Sequence, residues 1–346
     1  MARDPVADLR EIAFLLERAR EPTYRVKAFR TAAGVVADLA VAELASRAEA
    51  GTLQQLTGVG KVTALCITES LRGEVPVYLR RLQATEDTPL DESTAAIRAA
   101  LRGDCHLHSD WSDGGSPIDE MADTARRLGH SYAVLTDHSP RLTVANGLSA
   151  ERLERQLEVV AGVNARFESE GADFRLLTGI EVDILDDGTL DQQPALLERL
   201  DVVVASVHSK LKMPADEMTP RMVAAVANRH TDILGHCTGR LVTGGRGTRP
   251  ESQFDAEIVF AACAQFGVAV EINSRPERLD PPKRLLRLAV EAGCLTSIDT
   301  DAHAPGQLEW QPYGCARAAE AGVSADDVVN AWDVERLLAW TASHAA

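Results

Sequence analysis

Asp104-Cys105-His106-Leu107-His108-Ser109-Asp110-Trp111-Ser112-Asp113-Gly114 is a polar stretch that follows a short apolar run and carries two histidines at alternate positions. In an extended strand, residues i and i+2 point to the same face, so His106 and His108 are expected to project together. Two neutral imidazoles at that spacing can bind one metal ion, and the carboxylate of Asp113 can serve a neighbouring ion. The alternative is a polar loop in which the histidines only cap backbone groups.

The chain around this stretch has the pattern of a parallel α/β fold, because short apolar runs alternate with amphipathic helical segments from Leu101 onward. The predicted strands span residues 101–108, 132–137, 176–183, 202–207, 232–236, 268–273 and 295–300. Helices are predicted between most of them, at 117–128, 150–168, 218–229, 253–265 and 282–292. Seven strand–helix units predict a distorted or open (β/α)7 barrel of the TIM-like type. In such barrels the functional groups lie just past the C-terminal ends of the strands.

Potential metal ligands stand at six of the seven predicted strand ends, and they are His106, His108 and Asp113 (first strand), His138 (second), Glu181 (third), His208 (fourth), His236 (fifth), and Asp301 and His303 (seventh). A single histidine that closes an apolar strand is more often a hydrogen-bonded core residue than a ligand. Six such strand ends are hard to explain that way, because burying so many titratable groups is costly without cations to pair them. The sequence therefore predicts a multinuclear metal centre.

The composition is that of an ordinary globular protein, with 45% hydrophobic and 25% charged residues among 346. No uncharged apolar run approaches the ~18 residues that a membrane span needs, and no secretory signal is visible. The six cysteines contain no Cys-x-x-Cys pair, which favours reduced thiols and a cytoplasmic location. No membrane partner is expected, and no oligomeric state is predicted.

The net charge of −16 argues against nucleic-acid binding through bulk charge. The charge is unevenly distributed, however. Residues 1–85 carry 12 lysines and arginines against 10 aspartates and glutamates, which leaves −18 for the remainder. Divalent cations bound by carboxylates would neutralise part of that acidity.

The first 85 residues are predicted to form a small helical domain. A Gly-x-Gly run, Leu56-Thr57-Gly58-Val59-Gly60-Lys61, separates two helical segments. Its backbone N–H groups, backed by a helix N-terminus, can hold a phosphate. The basic residues Arg25, Lys27 and Lys61 strengthen that interpretation, although a glycine-rich turn between helices is usually only a turn.

This N-terminal region resembles the helix-hairpin-helix domain of family X DNA polymerases, through the run Tyr24–Ala32 and the hairpin of Gly58, Gly60 and Lys61. The resemblance implies DNA contacts at those three hairpin residues. Family members with lyase activity carry a nucleophilic lysine in the following helix, where this chain has Cys66, so Schiff-base chemistry is not expected. About twenty residues separate the domain from the metal stretch, so no polymerase palm is expected. Residues 86–100 are interpreted as a linker that leads into a short helix, and residues 101–346 as the barrel domain.

The second region is similar to the PHP (polymerase and histidinol phosphatase) superfamily, through His106-x-His108, Asp113, Thr136-Asp137-His138, Gly179-Ile180-Glu181, Ser206-Val207-His208, Gly235-His236 and Asp301-Ala302-His303. The resemblance implies a distorted seven-stranded barrel and a centre of three divalent ions. It groups the ligands as His106, His108, Glu181 and Asp301 around one ion, Glu181, His208 and His236 around a second, and Asp113, His138 and His303 around the third. Zinc, manganese or iron would suit such ligands.

Cationic residues near the metal mouth are candidates for binding phosphate, because a guanidinium can fork two phosphate oxygens. Arg240 follows the fifth strand, and Arg275 and Arg278 follow the sixth. The alternative for Arg275 and Arg278 is pairing with Glu277 or Asp280 in the same loop. Lys210 is a weaker candidate.

These features predict a metal-dependent phosphoesterase in which metal-activated water attacks phosphorus. The residues expected to take part directly in the reaction are Asp113, His138, Glu181, His236 and Arg275. The hairpin domain suggests DNA ends, gaps or abasic sites as substrates, with 3′–5′ exonuclease, 3′-end processing or abasic-site endonuclease activity. Two alternatives stay open: a small-molecule phosphatase of the histidinol-phosphatase type, and a non-catalytic DNA-binding adaptor.

Overall fold

The chain divides into two compact units, Met1–Pro89 and Leu90–Ala346. The computed structural model describes residues 3–85, 90–244 and 247–344. Residues 92–100, at the end of the predicted linker, form a short helix of the second unit that packs on a later helix of the barrel. Residues 86–89 lie outside the described residues. Within the described ranges, no helix combines the length and the apolar character that a bilayer crossing requires.

The N-terminal unit is helical, as predicted, with α1 (Pro5–Arg18), α2 (Thr23–Ala37), α3 (Val41–Glu49), α4 (Lys61–Leu71) and α5 (Val77–Gln83). The Asp4 side chain accepts the Val6 N–H at the start of α1, which satisfies one of the unpaired amides of the first turn. The apolar positions spaced at helical intervals form its core, in which Leu9, Ile12 and Ile67 are fully buried.

The second unit is built on seven parallel strands in sequential order, β1 (Gly103–Leu107), β2 (Tyr132–Leu135), β3 (Arg175–Asp183), β4 (Val202–Ser206), β5 (Ile233–Leu234), β6 (Ala269–Asn273) and β7 (Thr296–Asp299). The helices between and after them are α6 (Glu92–Ala100), α7 (Ile118–Arg127), α8 (Ala150–Ser169), α9 (Pro194–Leu197), α10 (Ala215–Val226), α11 (Ala256–Phe266), α12 (Lys283–Glu291), α13 (Gln311–Ala321) and α14 (Val334–His344). The predicted distorted barrel of seven parallel strands is thereby confirmed.

The distortion lies at β3, which changes its partner halfway along its length. Residues 175–178 pair with β2, and residues 179–183 pair with β4. The change falls at Gly179, where an added Cβ would lie 2.6 Å from Val134 Cγ1 and 2.8 Å from the Val202 carbonyl oxygen. A residue without a side chain is therefore needed where the two parts of the sheet meet.

The barrel is nearly closed where the first and last strands approach each other. The His108 N–H donates to the Ala302 carbonyl at 2.8 Å, and the Cys105 N–H donates to the Asp299 carboxylate at 2.7 Å. These bonds bring the segment after β1 beside the segment after β7. As a result, His106, His108, Asp301 and His303 come together although almost 200 residues separate them in sequence.

The C-terminal helix α14 lies at the amino end of the strands, opposite the ligand-bearing end. The Trp340 indole donates to the Gly267 carbonyl just before β6, at 3.1 Å, and His344 Nδ1 lies 2.8 Å from the carboxylate of Asp232 just before β5. Leu337 is fully buried in a cluster with strand residues. Neither α13 nor α14 was predicted from the sequence.

Candidate metal centre

The two histidines of the opening stretch lie side by side at the carboxyl end of β1. Both are fully buried, and their ring centroids are 5.2 Å apart. The alternate positions of the two histidines therefore place both imidazoles on the same face, as predicted, and that face is the interior of the barrel mouth.

Glu181 is the carboxylate around which five histidines gather. One of its oxygens, Oε1, lies 2.8 Å from His236 Nε2 and 3.1 Å from His208 Nε2. The other, Oε2, lies 2.9 Å from His138 Nδ1, 3.4 Å from His106 Nε2 and 3.6 Å from His108 Nε2. The five imidazoles come from four different strand ends, so no local sequence feature explains their meeting.

A second gathering forms around Asp113, on the loop after β1. Its Oδ1 lies 3.3 Å from His303 Nε2 and 3.5 Å from His138 Nε2. The side chain of Asp113 is 33% exposed, whereas Glu181 is buried. This part of the centre therefore lies nearer to solvent.

The nine residues fit divalent cations. Groups able to hold an ion are formed by His108, Asp113, His138 and His303, by His106, His108 and Asp301, and by His138, Glu181 and His208. Among the described residues, buried atoms without a hydrogen-bond partner include both Glu181 oxygens, His106 Nε2, His208 Nε2 and His236 Nε2. Such a concentration of unsatisfied polar atoms is costly unless a cation is bound to them.

The groups differ in detail from those that the PHP resemblance implies. His138 lies between Glu181 and Asp113 and so belongs to two groups. His236 approaches Glu181 as expected, at 2.8 Å. All nine predicted residues meet at one mouth, and their assignment to particular ions stays a prediction.

Opposite charges within the centre hold its carboxylates ionised. Burial alone would raise the pKa of Glu181, but the charges of His208, His106 and His138 hold that pKa well below its ordinary value. Burial opposes the ionised form of Asp301 as well, and Arg278 and Arg275 outweigh it, so the pKa of Asp301 is also lowered. Burial lowers the pKa of His208, but Glu181 and Asp183 raise it to about 9.

Three buried carboxylates around the centre were not predicted as site residues. Asp183 Oδ1 lies 3.0 Å from His208 Nδ1, and Glu271 Oε1 lies 2.6 Å from His106 Nδ1. Asp137 accepts hydrogen bonds from the hydroxyls of Ser109 and Ser112, at 2.5 Å each, and so holds the loop that carries Asp113. Asp183 lies two residues from Glu181 and Asp137 lies next to His138, which is a signal that the sequence offered, whereas Glu271 is near none of the nine ligands in sequence.

The structure shows which partners two of the predicted phosphate-binding arginines contact. The Arg240 guanidinium donates to the backbone carbonyls of Arg278 and Leu279 and pairs with Glu251, so it braces a loop. Arg275 Nη1 donates to the Asp301 carbonyl at 3.0 Å and lies 3.0 Å from His303 Nδ1. Arginine side chains are long enough to reach several acceptors, and spacing along the sequence does not select among them.

Arg278 is the predicted phosphate-binding residue with an unused donor. Its Nε donates to Asp301 Oδ2 at 2.9 Å, and its side chain is 10% exposed. Its Nη1 is buried and finds no hydrogen-bond partner among the described residues. Lys210 is exposed and pairs with Asp186 at 2.7 Å.

The glycine hairpin of the N-terminal unit has the expected geometry. Gly58 has φ +93°, and an added Cβ would lie 2.8 Å from Thr31 Cγ2, so glycine is required there. The Gly60 N–H is already occupied, because it donates to Thr63 Oγ1 at 2.9 Å. The amides available to a phosphate are therefore those of the first turn of α4, which begins at Lys61.

The basic side chains near the hairpin differ in their surroundings. Lys27 and Lys61 are exposed, and Arg25 of α2 pairs at 2.7 Å with Glu21, which lies just before that helix. The Cys66 thiol, in place of a lyase lysine, is buried, and burial raises its pKa to about 12. It is therefore inert as a nucleophile.

Two family models match the chain. The model described as "PHP domain" matches residues 104–275, and the model described as "Helix-hairpin-helix domain" matches residues 3–75. The two matched ranges contain all nine clustered residues except Asp301 and His303, together with the complete glycine hairpin.

The chain is also similar to a DNA polymerase and to phosphatases. The chain is 37% identical over 267 residues to the DNA polymerase/3′-5′ exonuclease PolX of Bacillus subtilis (strain 168), which covers 76% of this chain and 45% of that protein. The chain thus spans less than half the length of this relative. It is 28% identical over 239 residues to a probable phosphatase of Thermoanaerobacter sp. (strain X514), which covers 66% of this chain and 89% of that protein. A solved histidinol phosphate phosphatase of Lactococcus lactis, complexed with zinc, L-histidinol and phosphate, is similar with a TM-score of 0.46 and 18% identity, and covers 65% of this chain and 95% of that chain.

Proposed function

The chain belongs to the PHP family of phosphoesterases and carries an N-terminal helix-hairpin-helix domain, and from this premise we propose that it hydrolyses phosphate esters of DNA with three bound divalent ions. Both resemblances drawn from the sequence are thereby confirmed. The substrate, the number of ions and the roles of single residues are parts of the proposal.

One observation carries the proposal: side chains from six strand ends converge around Glu181 and Asp113 with their nitrogen and oxygen atoms unsatisfied. A polar cavity of this kind could be filled by water or by cations. The density of carboxylates among imidazoles favours cations, and zinc, manganese and iron all accept this mixture of ligands. Divalent ions bound there would polarise the phosphoryl oxygens and activate water for attack on phosphorus.

The residues of the chain would then divide the work. Glu181, with both oxygens directed at histidines, would help to hold the ions, and Asp113, whose side chain is partly exposed, would hold an ion together with His138 on the side nearer to solvent. His236 would contribute its Nε2, which lies 2.8 Å from Glu181 Oε1. The Nη1 of Arg278 would donate to a non-bridging phosphate oxygen, which offsets charge that develops in the transition state. Arg275 would hold Asp301 and His303 in place instead of contacting substrate.

DNA is the proposed substrate because of the N-terminal unit. A positive-φ glycine hairpin followed by the first turn of α4, with Lys61 and Lys27 exposed, offers amides and cationic groups to a phosphate backbone. The Bacillus relative is named as a 3′-5′ exonuclease. We therefore propose a cytoplasmic enzyme of 3′–5′ exonuclease, 3′-end processing or abasic-site endonuclease type.

A small-molecule phosphatase is the second candidate, and two observations favour it. The part of the chain after residue 85 carries a net charge of −18, which repels polyanions. The Thermoanaerobacter relative, matched over 89% of its length, is named as a probable phosphatase. The third candidate, a non-catalytic DNA-binding adaptor, is disfavoured because all nine ligand positions are filled and gathered.

A substrate panel tests the proposal and separates the candidates. The purified chain, loaded in turn with zinc, manganese and iron, would be assayed on gapped DNA, abasic-site DNA, histidinol phosphate and p-nitrophenyl phosphate. Turnover of DNA with the highest kcat/KM, lost in Asp113→Ala and His236→Ala, is the expected result. Preference for histidinol phosphate would support the second candidate, and no turnover of any ester with any metal would refute hydrolysis.

A further inference from the structure

We infer that Glu271 is a positioning residue of the metal centre, one that fixes the tautomer of His106 so that its Nε2 faces the ions. The inference rests on the proposed function, because it concerns how the chain prepares a ligand for a metal. Glu271 would not touch the substrate or an ion. It would act through His106.

The first step is the position of Glu271. It lies on β6, is fully buried, and is surrounded by groups from other strands. Its Oε1 lies 2.6 Å from His106 Nδ1, on β1. Its Oε2 accepts two hydrogen bonds, from the backbone N–H of His236, just after β5, at 2.5 Å and from the side-chain amide of Asn273 at 3.2 Å. One carboxylate therefore joins two of the predicted metal ligands.

The second step is the direction of these hydrogen bonds. The His236 N–H and the Asn273 amide nitrogen can only donate, so Oε2 is an acceptor. The Asn273 amide is itself oriented, because its Oδ1 accepts the Arg275 N–H at 3.1 Å. An ionised Glu271 accepts on both oxygens, and His106 Nδ1 then carries the hydrogen that is donated to Oε1.

The third step concerns the other nitrogen of the ring. In the neutral ring, which is the form that binds a metal, the hydrogen on Nδ1 leaves His106 Nε2 with a lone pair. That Nε2 is buried, has no hydrogen-bond partner among the described residues, and lies 3.4 Å from Glu181 Oε2. It is thus directed at the space in which a shared ion would lie. A carboxylate that orients a metal-binding histidine in this way raises its affinity for metal by about 10- to 100-fold.

Asn273 extends the same bracing to the last strand. Its Nδ2 also donates to Asp301 Oδ2 at 3.2 Å. Glu271 and Asn273, two positions apart on β6, therefore steady ligands from β1, β5 and β7. This arrangement gives the sixth strand, which supplies none of the nine predicted ligands, a role in the centre.

The decisive variant is Glu271→Gln, which keeps the size of the side chain. The single amide oxygen of the glutamine must accept from the two donors on the Oε2 side, the His236 backbone N–H and the Asn273 amide. Its NH2 group must therefore face His106 Nδ1. The ring must then accept at Nδ1 and carry its hydrogen on Nε2, where it blocks binding of the ion. We expect the affinity for one ion to fall by about 10- to 100-fold, measured by competition with a chromogenic chelator and by metal content per chain.

Asp232→Asn is the matched control. Asp232 is also buried and also joins a histidine to a backbone amide, with His344 Nδ1 and the Val203 N–H both at 2.8 Å, but at the opposite end of the barrel. We expect this variant to be destabilised and to keep its metal affinity. An equal loss of metal in both variants would mean that any buried defect loosens the centre, and it would overturn the inference.

A second comparison tests whether Glu271 acts through His106. In a His106→Ala background, Glu271→Gln should cause no further loss of metal affinity beyond about twofold. A further tenfold loss would mean that Glu271 acts through His236 or Asp301, which would contradict the inference.

The parent protein supplies a test that needs no variant. In the zinc-loaded chain, long-range 1H–15N NMR should show the His106 hydrogen on Nδ1 and the metal-shifted nitrogen at Nε2, and a hydrogen on Nε2 would overturn the inference. The two failures are distinguishable. Absence of metal binding by the parent protein would refute the proposed function. Equal metal affinities of the parent and of Glu271→Gln would refute only the role of Glu271.

Discussion

At the scale of single residues, the centre depends on side chains that were predicted and on neighbours that were not. The alternation of His106 and His108, and the histidines that close apolar strands, could be predicted because strand geometry fixes the direction of a side chain. Glu271 and Asp183 could not, because their hydrogen-bond partners lie on other strands. Arg240 donates to the Arg278 carbonyl and Arg275 donates to the Asp301 carbonyl. No spacing in the sequence indicates these partners.

Arg278 offers a prediction about phosphate binding. Replacing it with lysine keeps one charge and removes Nη1, so we expect kcat/KM for the preferred ester to fall by one to two orders of magnitude, the effect of losing a charge-assisted hydrogen bond of about 1.5–3 kcal/mol. Arg284→Lys is the control, since Arg284 is exposed and pairs with Glu251. Metal content should stay unchanged in Arg278→Lys. Its loss would mean that Arg278 acts only by holding Asp301.

His130 offers a prediction about pH and stability. It is 4% exposed, and burial, helped by the charge of Arg98, lowers its pKa to about 4, against about 6.5 in an unfolded chain. The folded protein therefore binds fewer protons than the unfolded chain between these values. The stability that the neutral, buried His130 contributes is complete above pH 6.5 and is lost as the pH falls, by about 2 kcal/mol at pH 5.

The measurement is chemical denaturation of the parent and of His130→Phe from pH 7 to pH 5. Other titrating groups affect both proteins equally, so the difference between their free energies of unfolding isolates His130. We expect the parent to lose about 2 kcal/mol more than the variant over this range. Parallel profiles would show that His130 is not buried in its neutral form.

At the scale of elements, the strands and the helices between them were predicted almost in full. The seven predicted strands coincide with β1 to β7 to within a few residues, because most of them contain a short apolar run bounded by polar residues. The helices α9, α13 and α14 were missed. The helix α9 is only four residues long. The helices α13 and α14 follow the last strand, where the alternation of strands and helices, on which the prediction relied, has ended.

The partner change of β3 could not be predicted either, because a parallel strand reads the same in sequence whichever neighbour it pairs with. Gly179 is compatible with many local structures, and only the approach of Val134 and Val202 gives it a meaning.

Gly235 offers a prediction about β5, which holds His236 at the mouth. A Cβ there would lie 2.3 Å from Ser206 Oγ and 2.8 Å from Val204 Cγ1. Gly235→Ala should therefore reduce the free energy of unfolding by about 1–3 kcal/mol through overpacking. Gly162→Ala is the control, because nothing lies within 4 Å of its added Cβ in α8. That change should stabilise the protein by about 0.5–1 kcal/mol. Equal effects of the two substitutions in a denaturation experiment would contradict this account.

At the scale of the whole molecule, two units of different charge share one chain. The N-terminal 85 residues carry +2 and the remainder −18. If the substrate is DNA, its binding must come chiefly from the hairpin unit, and the chemistry from the barrel. This division of roles is proposed from the sequence, because the net charge of each unit and the motifs can both be read without the structure.

Lys61 offers a prediction about that division. Lys61→Ala should weaken binding of gapped DNA and reduce the slope of log K against log salt by about 0.9, the value for one lost phosphate contact. Hydrolysis of p-nitrophenyl phosphate should be unchanged. Lys283→Ala, which removes an exposed lysine of the barrel unit paired with Glu320, is the control and should alter neither. An unchanged salt slope in Lys61→Ala would remove the hairpin from DNA binding.

The most direct measurement is anomalous diffraction at the manganese or zinc edge from crystals of the full chain grown with that metal. This account predicts three peaks at the barrel mouth, each about 2.0–2.3 Å from oxygen or nitrogen atoms of the nine gathered residues, with Glu181 shared between two of them. An empty mouth at saturating metal, or peaks bound elsewhere on the chain, would contradict it.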